Sequence, residues 1–159
     1  NVLKVLEEGY GARMQVPEFF TGLIKEKQIL GKKSGQGFYS YQGKFKEVNQ
    51  IVMDKIISFR TTGHQLTAQD IQERLLLVMV NEACRCLEEG VVETAEILDL
   101  ALIMGTGFPP FRGGLCAYAE SLGLSYVVER LTHYQHLYGC RFEVSEYLMH
   151  CINHNKSLR

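Results

Sequence analysis

Two stretches of this chain read as copies of one another. "YGARMQVPEF" (10–19) and "YGCRFEVSEY" (138–147) align without a gap at a constant offset of 128 residues. Tyr, Gly, Arg, Val and Glu are identical at five of the ten matched places. Met14 is matched by Phe142, Phe19 by Tyr147, and further out Leu3 by Leu131 and Ile24 by Ile152. Two similar but unrelated helix-turn-helix pieces would be the bland explanation. Duplication is the better one: the chain then holds the tail of one repeat and the whole of a second. The boundary falls near residue 45, giving 1–45 and 46–159. Duplication also explains the opening "NVLKVLEEGYG", which starts without Met inside a helical pattern. The sequence therefore reads as part of a longer protein.

The rest of the pattern is helical. Val2, Leu3, Val5 and Leu6 form one face over residues 1–8, closed by Gly9 and Gly11. Pro17 suits the first turn of a helix to about residue 28. "GKKSGQGFYSYQGK" (31–44) breaks helix, and Phe38-Tyr39-Ser40-Tyr41 alternates like an extended piece. A helix follows over 47–59, and "RTTGHQ" (60–65) reads as a turn. Thr67 caps the longest helix, Asp70 favours its positive end, and Gly90 stops it. Ile71, Leu75, Val78, Met79, Ala83 and Leu87 recur along it at helical spacing. Thr94 caps a helix to about residue 104. Others follow over 114–122, 125–137 (capped by Ser125) and 143–154. The expected fold is all-α, a helical bundle with one short extended segment.

Seventeen basic and 18 acidic residues nearly cancel, so no nucleic-acid footprint or polybasic membrane patch is expected. The longest apolar run, 75–80, is too short to span a bilayer. Five cysteines, an odd number without Cys-x-x-Cys spacing, point to free thiols in a reduced compartment.

Chemical motifs mostly fail. Three Gly-x-Gly stretches have Met14, Ser40 and Pro110 where a dinucleotide fingerprint needs its third glycine, and no βαβ unit surrounds them. No cofactor is expected to bind this chain. "GKKS" (31–34) has Glu26 where a P-loop needs its first glycine. A phosphate or CoA group held by Lys32 and Lys33 is the alternative to a solvated loop. His133 with His136, and His150 with His154, could each share a helix face, but a zinc site wants three or four converging ligands. No metal site is expected. No cysteine is singled out as a nucleophile, and burial as small apolar residues is the expectation. Glu7-Glu8 and Glu88-Glu89 lie at helix ends and are expected to face solvent.

"IMGTGFPPFRGG" (103–114) is the most unusual stretch. Pro109 and Pro110 fix φ and remove two donors, and Gly113 and Gly114 permit close approach. Phe108 and Phe111 offer apolar area to the core, and Arg112 offers a cap for carbonyls or a partner for a carboxylate. A rigid joint between helices, an interdomain contact and a direct acyl-CoA contact are the three readings, the first two compatible.

"GKKSGQGFYSY" (31–41), "VNEACRCLEEGV" (80–91) and "GTGFPPFRGG" (105–114), in this order, resemble the C-terminal part of 3-hydroxyacyl-CoA dehydrogenases. The last of these motifs most resembles the fused multifunctional α-subunits of fatty-acid β-oxidation. The resemblance covers about residues 2–150. It implies a C-terminal helical bundle of the 6-phosphogluconate dehydrogenase C-terminal-like type, duplicated, downstream of NAD-binding and enoyl-CoA hydratase domains. It implies a parent that oxidises 3-hydroxyacyl-CoA with NAD, a thiolase β-subunit as possible partner, and a bacterial cytoplasm, with the mitochondrial matrix as alternative. The family's catalytic Asn opens the long helix of the first repeat, upstream of Asn1. At the matching place of the second repeat, in "ERLLLVMVNEA" (73–83), stands Glu73. A carboxylate cannot donate the hydrogen bond an amide can, so no catalytic residue is expected here. The contrary expectation is a free-standing helical interaction module. On the enzyme reading, the truncated chain is expected to expose an apolar surface that its missing half-repeat would cover, and to self-associate through it.

Overall fold

A computed structural model describes residues 2–27, 29–59 and 66–159. It forms two compact units, 1–65 and 66–159. Residues 60–65, expected as a turn, and Gln28, the expected end of the second helix, lie outside the described residues. Among the described residues no helix is long and apolar enough to cross a membrane.

The first unit begins with α1 (Val2–Tyr10). Gly11, at φ 60°, opens a 3-10 turn to Met14, and α2 (Glu18–Lys27) follows. Residues 31–37 then close on themselves. The Gly31 N–H donates to Gln36 O (2.7 Å), that of Ser34 to Gly31 O (3.1 Å), that of Gly35 to Lys32 O (3.2 Å) and that of Gly37 to Tyr39 O (2.9 Å). A Cβ on Gly37 would lie 2.7 Å from the Gly31 Cα, so this tight crossing of two backbones requires glycine. The extended piece is β1 (Tyr39–Gln42), and it pairs antiparallel with β2 (Phe45–Val48), a strand not expected. β2 occupies what was read as the start of a helix, which begins only at α3 (Gln50–Phe59). Asn49 explains the stop. It is buried, its Nδ2 donates to Gly37 O (3.0 Å), and its Oδ1 accepts the Ile51 N–H (3.1 Å), capping α3. A small core of Leu23, Ile29 and Val52 lies beneath, with Phe19 packed on it and edge-on to Phe59. The hairpin straddles residue 45, and α3 packs on α2. As packing, 46–59 therefore belongs with the first unit. The division at residue 45 concerns repeats of sequence.

The second unit is built around α4 (Ala68–Glu88). Thr67 and Asp70 form a reciprocal capping box: the Asp70 N–H donates to Thr67 Oγ1 (3.1 Å) and the Thr67 N–H to Asp70 Oδ2 (2.9 Å). Around α4 lie α5 (Ala95–Thr106), α6 (Leu115–Leu122), α7 (Leu124–Tyr138) and α8 (Glu146–Asn153). Thr94 caps α5, as expected, and Ser145 caps α8. Ser125 does not cap α7. The cap is Gly123, whose φ of 87° turns the chain so abruptly out of α6 that α7 starts at Leu124. Leu77, Val80 and Cys84 of α4 form one core with Leu115 and Cys116 of α6, Val127 and Leu131 of α7, and Leu148 of α8. The all-α bundle is thus as expected, with a hairpin in place of a single extended piece.

Candidate functional site

Residues 107–114 link α5 to α6, and Phe111 and Arg112 differ from expectation. Gly107, at φ 73°, ends α5, and the buried Phe108 follows, its ring 6.5 Å from that of Tyr118. Pro110–Arg112 form a 3-10 turn begun by Pro109, and Gly113 (φ 79°) and Gly114 (φ 115°) lead into α6. Phe111 does not enter the core: it is 83% exposed. It projects to solvent from within the 3-10 turn, whereas Phe108 precedes the turn and is buried. The Arg112 guanidinium lies over the rings of Tyr118 (5.3 Å) and Phe111 (5.7 Å), a cation–π arrangement where a carbonyl or carboxylate was expected.

What fixes the joint is Asp99, which was not singled out. It is buried on α5, and its carboxylate accepts the N–H groups of Cys116 (2.6 Å) and Ala117 (3.1 Å) at the start of α6. An acid so placed satisfies orphan donors and the positive end of the helix. Gly114 is the consequence. A Cβ there would lie 2.2 Å from Asp99 Cγ. The available signal was an acid on the apolar stripe Ala95, Leu98, Asp99, Leu102.

Glu73 lies one and a half turns into α4, beside a groove of about 420 Å³ lined by Gln69, Gln72, Leu76, Tyr118, Leu122 and Tyr126. Both its oxygens are taken. Tyr126 OH donates to Oε1 (2.5 Å). Tyr134 OH (2.5 Å) and Arg130 Nη2 (2.7 Å) and Nε (3.0 Å) donate to Oε2. Arg130 Nη2 also donates to Tyr134 OH (3.0 Å). Burial pushes the Glu73 pKa up, but the hydrogen bonds from Arg130, Tyr126 and Tyr134 more than reverse this, leaving it below the ordinary value. A saturated carboxylate of lowered pKa is a weak base and no donor. Through these bonds it ties α4 to α7.

The other motifs also hold helices together. In "VNEACRC", Asn81 Nδ2 donates to Glu143 O (2.8 Å), its Oδ1 accepts the Ser145 N–H (2.9 Å), and Arg85 Nη2 donates to Glu143 O (2.7 Å). Arg74 stacks 3.8 Å over Tyr138. The echoed segment 138–147 is thus fastened to α4 by Arg74, Asn81 and Arg85, and also by Glu88. Cys84, Cys116 and Cys151 are buried, as expected, whereas Cys86 is half-buried and Cys140 exposed. Burial pushes the Cys84 thiol up to about 12, which keeps it protonated and unreactive. Of the paired acids Glu8, Glu88 and Glu89 are exposed, as expected, and Glu7 is half-buried; Glu7 accepts the Val16 N–H (3.0 Å) and Glu88 that of Tyr147 (3.3 Å), so one member of each pair also anchors backbone. His150 and His154 stack at 4.1 Å, and His133 packs edge-on to Tyr134.

The described residues do not fit a nicotinamide dinucleotide. The Gly-x-Gly stretches lie at the ends of α1 and α5 and in the closed turn 31–37, and the hairpin is antiparallel, without a crossover helix.

The family described as "3-hydroxyacyl-CoA dehydrogenase, C-terminal domain" matches residues 71–157, more than half of the chain. The chain belongs to this family. This 3-hydroxyacyl-CoA dehydrogenase C-terminal domain is 42% identical over 143 residues to the fatty acid oxidation complex subunit alpha of Vibrio cholerae serotype O1, a match covering 89% of this chain and 20% of the relative. The same subunit of Shewanella halifaxensis is 39% identical over 145 residues, covering 90% of this chain and 20% of the relative. The dehydrogenase part of multifunctional enzyme 1 from C. elegans shares the fold, with a TM-score of 0.65 and 25% identity, over 94% of this chain and 35% of that one. The chain spans about a fifth of the length of these curated relatives. The resemblance read from the motifs, to multifunctional enzymes of fatty-acid oxidation, therefore holds along most of the chain.

Proposed function

We propose that this chain is the helical, non-catalytic C-terminal part of a multifunctional enzyme of fatty-acid β-oxidation. Residues 1–45 are the tail of its first C-terminal helical repeat and 46–159 the second. The parent oxidises (3S)-hydroxyacyl-CoA to 3-ketoacyl-CoA with NAD and hydrates enoyl-CoA, using upstream NAD-binding and hydratase domains, and it works in the bacterial cytoplasm beside a thiolase β-subunit. The second repeat supports packing of repeats and domains. The observation that carries this reading is Glu73, held by Arg130, Tyr126 and Tyr134 where the family resemblance puts a catalytic amide. The joint Phe108–Gly114 is part of that support, and its exposed Pro109, Pro110, Phe111 and Arg112 are available to a neighbouring domain.

The test is reduction of acetoacetyl-CoA by NADH, followed at equal molar concentration for the parent and for residues 1–159. The parent is expected to be active and the isolated chain to show no turnover. Turnover by the isolated chain would refute the scaffold role, and an inert parent would refute the dehydrogenase reading.

Removed from its parent, the chain should associate with itself. Ile97, Leu100 and Met104 lie on one exposed stripe of α5, and Ile71, Leu75 and Met79 on one of α4. Sedimentation of the isolated chain is expected to show a concentration-dependent rise above the mass of one copy. A strictly monomeric species across the micromolar range would count against it.

A further inference from the structure

Beyond α8 the chain turns back and fastens to its own bundle. Asn155, at φ 51°, is the one residue other than glycine with positive φ among the described residues. Its N–H donates to Ile152 O (3.1 Å) and that of Lys156 to Cys151 O (2.8 Å), the Schellman pattern that ends a helix and reverses the chain. Residues 157–159 then meet α6, where a single oxygen receives them. Glu120 Oε1 accepts the Ser157 hydroxyl, the Leu158 N–H (2.8 Å) and the Arg159 N–H (3.3 Å). Leu158 is buried in the main core, whereas residues 155–157 and Arg159 are exposed. Cys151 lies beneath, 2% exposed, its thiol donating to Ser157 O (3.6 Å). A groove of about 370 Å³ runs alongside, bordered by Glu120, Leu124, Ser125 and Lys156.

These contacts divide into a hinge at Asn155, a plug at Leu158 and a latch at Glu120. We propose that residues 155–159 are a strap that opens as a unit, released by Glu120 and turning about Asn155, while the helical bundle stays folded. The strap adds one buried side chain and the bonds of one carboxylate to the fold. Releasing it therefore exposes far less surface than unfolding the bundle, which makes it a separate, local opening. The closed strap keeps the Cys151 thiol buried, and burial raises its pKa, so the thiol stays protonated. The open strap uncovers that thiol and empties the Leu158 slot beside the groove. Access to this side of the core is thus set by a single carboxylate.

The test is alkylation of the native full-length parent by iodoacetamide at a series of urea concentrations below its unfolding transition. Each cysteine-containing peptide is followed by mass spectrometry. Cys84 and Cys116 lie in the same core and are, like Cys151, at most 2% exposed, so they report opening of the bundle itself. Cys151 is expected to react at least about tenfold faster than either, at a rate that barely changes with urea, while theirs rises steeply. Glu120→Ala is expected to speed Cys151 by about tenfold or more, as the loss of bonds to a charged group implies. Ser157→Ala removes one donor from an exposed position of the strap and should give a smaller rise. A Cys151 rate that follows those of Cys84 and Cys116 across the urea series would mean that the strap opens only with the bundle, and would overturn the proposal. So would a rate that neither substitution raises. The measurement reads thiols and not turnover, so its outcome is independent of the dehydrogenase reading.

Discussion

Gly114→Ala is expected to destabilise the helical bundle by about 4 kcal/mol, among the largest effects of any single methyl group in this chain. Two causes add. A side chain at φ 115° is strained, which costs about 1–3 kcal/mol. The new Cβ would also lie 2.2 Å from Asp99 Cγ, so Asp99 must leave its place and give up the N–H groups of Cys116 and Ala117. Bonds to a charged group contribute about 1.5–3 kcal/mol each. Against a total stability of about 5–15 kcal/mol this is a large fraction. Urea denaturation of the isolated chain measures it. Gly113→Ala is the control: its Cβ would lie 3.3 Å from that of Ala117, so it carries backbone strain with a milder contact. A cycle with Asp99→Ala isolates the hydrogen bonds: with the carboxylate gone, adding Gly114→Ala no longer costs the bonds to Cys116 and Ala117, but it keeps the backbone strain and the clash with the Cβ of residue 99, 2.3 Å away. A loss below about 1 kcal/mol for Gly114→Ala alone would mean that Asp99 does not hold the joint.

Glu73→Ala is the second large effect, expected at about 2–4 kcal/mol. Side-chain exposure is 14% for Glu73 and 25% for Arg130, so the substitution leaves a largely buried guanidinium with Tyr134 OH as its remaining hydrogen-bond partner among the described residues. The same carboxylate sets a pH dependence. Its folded pKa lies below the ordinary 4.5, so its stabilisation is complete above the unfolded value and is lost as pH falls through the folded one. Glu73→Gln abolishes that titration. Urea midpoints of wild type and Glu73→Gln should therefore differ by a constant amount near neutral pH and converge below about pH 4.5. Asp70 and Glu96, also shifted down, are common to both proteins and cancel in the difference. A gap that widens in acid would contradict the clamp.

What could be read in the sequence, and what could not, divides by distance along the chain. α4 was legible because its signals are local: Thr67 and Asp70 three residues apart, Gly90 just past the end, and apolar residues at helical spacing between. β2 was missed because Phe45 and Val48 stay exposed, so "FKEV" lacks the alternation that marks a half-buried strand. Gly43 between two aromatic-containing tetrapeptides was the hairpin signal available. Ser125 looked like a cap because serine usually is one, whereas Gly123 had already turned the chain. The joint at 103–114 was recognisable from its glycines and prolines, but the residue that makes Gly114 necessary lies on the preceding helix. Glu73 was identified through family resemblance. Its partners, 53–61 residues away on α7, follow no local pattern and emerge only when the helices pack. Glu7 and Glu88 teach the same lesson, since the amides they accept belong to Val16 and Tyr147.

The central claim is that Glu73 is structural and that the second repeat does no chemistry. The turnover number of the full-length parent carrying Glu73→Gln, for reduction of acetoacetyl-CoA by NADH well below its melting temperature, tests it most directly. The account predicts a kcat within about twofold of wild type beside a clear loss of stability, because general acid–base groups contribute about 10²–10⁴-fold and Glu73 is not one. A fall of about a hundredfold or more, with the fold intact by circular dichroism, would place Glu73 in the reaction and contradict the account.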